Sequence, residues 1–306
     1  MIRSAGLLVL SGCCAWFGAH GQAVDGTKSA PTESVLSRHY KEGEALAYHM
    51  SATNQGRTGT IRYEADANGT VKKNSSGHFT EEFLWTGLRF AGQPVPVSGD
   101  TGGFRQELSL DPTVPPSLPD FRHVDPRLIG PCADLLTFYA DLWLAIKQEM
   151  LIKAGQHAYV KHGTPNSWAD GRRTILGQDS IDFDITLPEV HRENGLAKLI
   201  VRHVPPAESQ IKVPAKWMEA PVLDTPNNWV EVSKTDKTDY PYLGEIGKET
   251  FDVQISLDLR DGKILSAIMD NPVTVMAREC EDVVLEHCGA PEHYEIRRQI
   301  EIRSAP

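Results

Sequence analysis

The absences in this sequence narrow its chemistry before any of its residues suggest one. No G-x-S-x-G elbow, phosphate-binding loop, dinucleotide fingerprint or H-E-x-x-H pair occurs in its 306 residues. The local signatures of serine hydrolases, nucleotide-binding enzymes and zinc peptidases are therefore missing. Asp224-Thr225-Pro226 lacks the glycine that follows Asp-Thr in aspartic proteases. Many active sites carry no local signature, so an enzyme is not excluded. Positive charge is also in deficit: 31 Lys and Arg face 41 Asp and Glu, a formal charge of -10. Such a surface repels phosphate backbones and anionic headgroups and argues against nucleic-acid partners. No internal repeat of fixed period is visible.

Cysteine is scarce, and its placement points to a compartment. The first 23 residues have the layout of an export signal: Arg3, an apolar stretch from Ala5 to Gly18, then the small residues of Gly21-Gln22-Ala23. That stretch is short of the ~20 residues a bilayer span needs. A rival reading lies within it, because Leu10-Ser11-Gly12-Cys13 resembles a bacterial lipobox, with Cys13 as the lipidated N-terminus. The chain is expected to be secreted or periplasmic, with no transmembrane segment in the mature form. Cys132, Cys280 and Cys288 remain after cleavage. Export permits disulfides, and Cys280 and Cys288, close together between two strand-like stretches, are the natural pair. Cys132 reads as a buried free thiol. Zinc held by Cys280, His287, Cys288 and His293 is the less economical alternative.

What is present is mostly strand. Leu46, Tyr48 and Met50 alternate with small or polar residues, as do Ile61, Tyr63 and Ala65, and Phe79, Phe83 and Trp85. Asn68-Gly69 suggests a two-residue hairpin turn inside this meander. Ile181, Phe183, Ile185 and Leu187 make a strand with one buried face, and Leu196 to His203 returns across Asn194-Gly195. Phe251 to Leu259 alternates without a break, Asp261-Gly262 turns, and Ile264 to Ala277 runs back. Two proline-rich stretches, 111–131 and 205–247, read as an extended crossover and an ordered excursion.

One segment is unlike the rest. Pro131 to Ile152 is strongly helical, with Leu135, Phe138, Tyr139, Leu142, Ile146 and Met150 at three- and four-residue spacing. Leu136, Ala140, Trp143 and Leu151 widen that face until only Asp134, Thr137, Asp141 and Gln148 form a polar stripe. A helix apolar over most of its circumference is surrounded rather than laid on a surface. The predicted architecture is α+β and mostly antiparallel β. A curved, half-barrel-like sheet wraps one central apolar helix (about 131–153), in a single domain from residue 24 to 306.

Three functional readings follow. In the first, an apolar or amphipathic ligand, or a partner, binds a monomer in the cleft between sheet and helix, lined by Phe138, Leu142, Trp143, Ile146 and Met150. In the second, a hydrolase or metal-dependent enzyme uses His157, His162 and Asp170, a loop cluster that could supply a base or ligands. Against it, Trp168 serves as a packing anchor and Asp170-Gly171 as a turn. In the third, the protein has a structural or interaction role in the cell envelope. Asp182 and Asp184 are taken as surface carboxylates. Trp217, Trp229, Tyr240 and Tyr242 could rim a pocket, though such aromatics more often pin a long loop to the body. No cofactor is expected.

The phrases VDPRLIGPCADLLTFYADLWLAI, SWADG, DSIDFDITL, DTPNNWV and GKILSAIMDNPV resemble a family of exported, uncharacterised proteins from soil acidobacteria. That resemblance spans most of the chain past residue 40 and brings no assigned activity or site residue. In pattern alone, a curved sheet around a helix is similar to periplasmic lipoprotein-carrier half-barrels, which hold acyl chains in an apolar concavity. Fold does not determine function, so the similarity implies an architecture only.

Overall fold

A computed structural model of the chain describes residues 34–96, 104–117, 125–162, 167–168, 174–208 and 210–305. The export signal, Cys13 and Asp170 lie outside the described residues. Strands β1 (Ala45–Gly56), β2 (Gly59–Lys73) and β3 (Phe79–Phe90) form the expected meander, with β4 (Gln93–Val95) and β5 (Arg105–Leu108) both pairing with β3. Helix α1 (Pro126–Ile146) follows. Next come β6 (Gln156–Val160), β7 (Ser167–Trp168), β8 (Thr174–Asp179), β9 (Asp182–His191) and β10 (Leu196–Val204). The last third carries β11 (Trp229–Lys234), β12 (Tyr242–Glu249), β13 (Phe251–Asp258), β14 (Ile264–Cys280) and β15 (Glu292–Ser304).

All of these strands belong to one open, antiparallel sheet. Its spine runs β3-β2-β1-β15-β14, and at β14 it forks. Residues 264–270 of β14 pair with β13, which leads to β10, β9 and β6. Residues 273–280 pair instead with β12, which leads to β11, β8 and β7. Pro272 sits where the neighbour changes. Proline cannot donate to a ladder, so this is a position in a long strand where it costs little.

The inward residues of β1, β2, β3, β5, β6, β9, β10, β13 and the first half of β14, with Ile300 and Ile302 of β15, make one apolar cluster with α1. This is the predicted curved sheet around a central helix. The helix is long and apolar enough to cross a membrane by length and composition, yet 83% of that stretch is buried inside the protein. A core helix passes the same test.

Two local expectations are corrected. The helix is Pro126–Ile146, not 131–153. Asp125 caps it by accepting from the Arg127 amide at 3.0 Å, and Pro126 takes the first-turn position assigned to Pro131. Pro131 falls inside, where it forgoes a backbone hydrogen bond. Asn68-Gly69 is not a turn but the middle of β2. Glycine is needed at 69 because the Phe83 ring lies where a Cβ would be, at 2.5 Å. Asp261-Gly262 does turn the chain, with Gly262 at φ +73° and packed against the Ser37 backbone.

Candidate functional site

The space between α1 and the sheet is occupied by side chains. Phe138, Leu142, Trp143 and Ile146 are each at most 6% exposed. The Trp143 indole donates to the Asp111 carbonyl at 2.9 Å, and the Lys147 ammonium lies 4.3 Å from its ring centre. Met150 does not join them. It lies past the helix end in a turn, 56% exposed, because the helix stops at Ile146 with Lys147 as its C-cap.

The polar stripe on α1 is buried as well. Asp134 accepts from the Tyr63 hydroxyl of β2 and the Arg298 guanidinium of β15. One turn on, the Thr137 hydroxyl bonds back to the Ala133 carbonyl at 3.0 Å. Asp141 receives His203 Nε2 of β10 on both oxygens, at 2.8 and 2.9 Å. From the other side, the Tyr139 hydroxyl donates to Glu81 of β3, which also holds Arg38 at 2.9 Å. Burial pushes the carboxyls of Asp134, Asp141 and Glu81 above the usual range, against the pull of Arg298, His203 and Arg38 respectively. Three carboxylate-centred contacts thus tie an otherwise apolar helix to four separate strands.

The two predicted histidines part company. His157 faces outward from β6, where its Nε2 lies 2.5 Å from Asp184 of β9. His162 follows the end of β6, with its ring 6.0 Å from Phe183 and its pKa lowered by burial. Its amide donates to Asp182 at 2.9 Å, and the Tyr159 hydroxyl donates to the other oxygen of Asp182 at 2.8 Å. Asp182 is therefore covered and bonded rather than a surface carboxylate. Phe183 separates His162 from His203, whose ring lies 4.8 Å from Phe183 and 4.6 Å from Phe251. An Asp–His pair is the orienting half of a general base. Here the distal His203 Nδ1 is buried, and the pair joins α1 to β10. Among the described residues no group of three or more His, Cys, Asp or Glu is placed to hold a metal.

His203 and Arg298 were missed by sequence reasoning. Each continues the buried parity of its strand, after Leu199 and Val201 in one case and between Ile296 and Ile300 in the other. A polar residue in such a position demands a buried partner.

A ligand-sized concavity lies on the opposite, outer face of the sheet. A groove of about 1000 Å³ crosses β2, β1, β15, β14 and β13. Strand register sets two parallel rows of outward side chains along it. One row runs Glu64, Ser51, Glu301, Ile268, Gln254; the other runs Arg62, Thr53, Gln299, Asp270, Asp252. The Ala91-Gly92 turn lies against its β2 end.

On the second arm of the fork, Glu231 of β11 and Glu245 of β12 are direct cross-strand neighbours, both buried. Burial pushes Glu245 up to about 7, while the donated Tyr294 hydroxyl and Arg57 pull it down. Cys280 and Cys288 are disulfide-bonded and Cys132 is free and buried, as expected; the disulfide is compatible with an oxidising compartment. The Trp217 indole donates to the Leu285 carbonyl inside the disulfide loop at 3.0 Å, so this aromatic pins the second proline-rich excursion to the body.

No protein-family model and no curated protein matches the chain. Among solved structures, one from a study of lipid–protein interactions in lipovitellin aligns over 88% of this chain with 8% identity and a TM-score of 0.42. The alignment spans 26% of the lipovitellin chain. Likeness at that level carries no argument about function.

Proposed function

We infer that this is an exported binding protein for an apolar or amphipathic ligand, and that α1 occupies the seat such a ligand would take. One observation supports the reading. An apolar helix fills a concave sheet whose inward residues are apolar, yet it is held by buried carboxylate contacts rather than by apolar packing alone. A purely structural helix gains little from such contacts, since desolvation offsets much of their attraction. A helix that leaves and returns to one register gains specificity from them. Ligand entry would then require α1 to lift, exposing Phe138, Leu142, Trp143 and Ile146 to the ligand. The hydrolase reading is not favoured, because His157 and His162 face different partners.

The test is native mass spectrometry of the exported protein, followed by hydrogen exchange with and without added palmitate. The reading expects a lipid-sized adduct lost on denaturation, and faster exchange of α1 amides when palmitate is bound. A clean apo mass with α1 exchange unchanged by palmitate overturns it and leaves the structural role.

A further inference from the structure

The outer groove is independent of the helix and lies on the other face of the same sheet. We propose that it binds a linear, neutral, hydroxyl-rich chain, an unbranched oligosaccharide, laid across the strands from β2 to β13.

The length follows from register. Five strands at a spacing of ~4.8 Å set the two rows over ~19 Å, long enough for several linked rings and too long for one small metabolite. The direction matters as well. A peptide in this groove would cross the strands, so its backbone could not extend the ladder, and it would lose the main-chain pairing that gives strand addition its affinity. A polyol needs no such pairing, because its hydroxyls donate and accept around the chain.

The charge pattern selects against ionic ligands. Four carboxylates line the groove, and each already has an arginine: Glu64 with Arg89 at 3.6 Å, Glu301 with Arg303 at 2.5 Å, Asp270 with Arg297 at 2.7 Å, and Asp252 with Arg202 at 3.5 Å. With Arg62 in the second row as well, an ionic ligand of either sign meets both charges and finds no run of its opposite. A hydroxyl can still donate to a carboxylate that already holds an arginine, since each carboxylate offers several lone-pair sites. Between the carboxylates, Ser51, Thr53, Gln299 and Gln254 offer neutral donors and acceptors. Ile268, 44% exposed between Glu301 and Gln254 in its row, gives an apolar contact for the C–H face of a sugar ring.

The test uses the full mature chain with isoleucine methyl labelling, titrated with cellohexaose, laminarihexaose, maltohexaose and chitohexaose. At least one should shift the Ile268 methyl saturably. Thr53→Glu, which sets a fifth carboxylate on the floor between Arg62 and Gln299, should weaken that binding by about tenfold or more with the thermal midpoint unchanged. Gln299→Ala, a milder change on the same floor, should weaken it by a smaller factor. Failure of all four sugars to move the Ile268 methyl at millimolar concentration overturns the proposal, as does binding unaffected by both variants. Neither result bears on α1 or on palmitate.

Discussion

Replacing Glu245 with glutamine should remove most of one specific pH dependence of stability. Glu245 is 5% exposed on β12, between Glu231 of β11 and Ala277 of β14 in register, and it accepts from the Tyr294 hydroxyl. Burial raises its folded pKa to about 7 from an ordinary 4.5. Between those values the folded chain holds a proton that the unfolded chain has released. The contribution of this group to stability is therefore fully present below pH ~4.5 and is lost as pH rises through ~7. At 1.36 kcal/mol per pKa unit the whole effect is about 3 kcal/mol, most of it falling between pH 5 and 8. Glutamine keeps a carbonyl for the Tyr294 hydroxyl and carries no charge at either pH. Urea unfolding midpoints and slopes, measured at pH 5 and 8 for both proteins, isolate the term because other titrating groups cancel in the comparison. The wild type should lose about 2–3 kcal/mol more than Glu245→Gln over that interval. Parallel stability profiles would refute the assignment and show that Glu245 titrates as an exposed carboxylate.

Arg298→Met should cost about 3–5 kcal/mol in urea unfolding, because it leaves Asp134 buried without its cation. Adding Asp134→Asn should recover a large part of that loss. Trp143→Ala should lower stability by about 3–5 kcal/mol, read from the same unfolding curves. If a lipid adduct exists and survives this change, Trp143 is core and not ligand contact. Replacing Cys280 and Cys288 by serine opens a bridge with a sequence separation of 8 and should cost about 2–3 kcal/mol, measured as a fall in the urea midpoint.

The elements were legible because their signal is local. Unbroken alternation in β13 and a wide apolar helical face need only neighbours in sequence to be recognised. The helix start was displaced because Pro131 and Pro126 offer the same first-turn signal, and only Asp125 as the capping residue distinguishes them. Asn68-Gly69 misled for a similar reason, since a turn dipeptide and a glycine cleared for an aromatic ring look alike until Phe83 is placed over it.

The partners of the polar stripe were out of reach for a different reason. Asp141 finds His203 at a separation of 62 residues, and Asp134 finds Arg298 at 164. No window on the chain contains either pair. A stripe with no visible partner reads as solvent-facing, whereas a buried carboxylate needs a donor wherever the fold can bring one. Strand parity supplies a usable rule: a His or Arg interrupting the inward row of an apolar strand is the natural partner for an Asp interrupting an apolar helix. Here that rule selects the four residues of both pairs, and the fold matches them. It also explains why the helix has one register in the sheet, since apolar packing alone tolerates sliding by a turn and two separated ionic contacts do not.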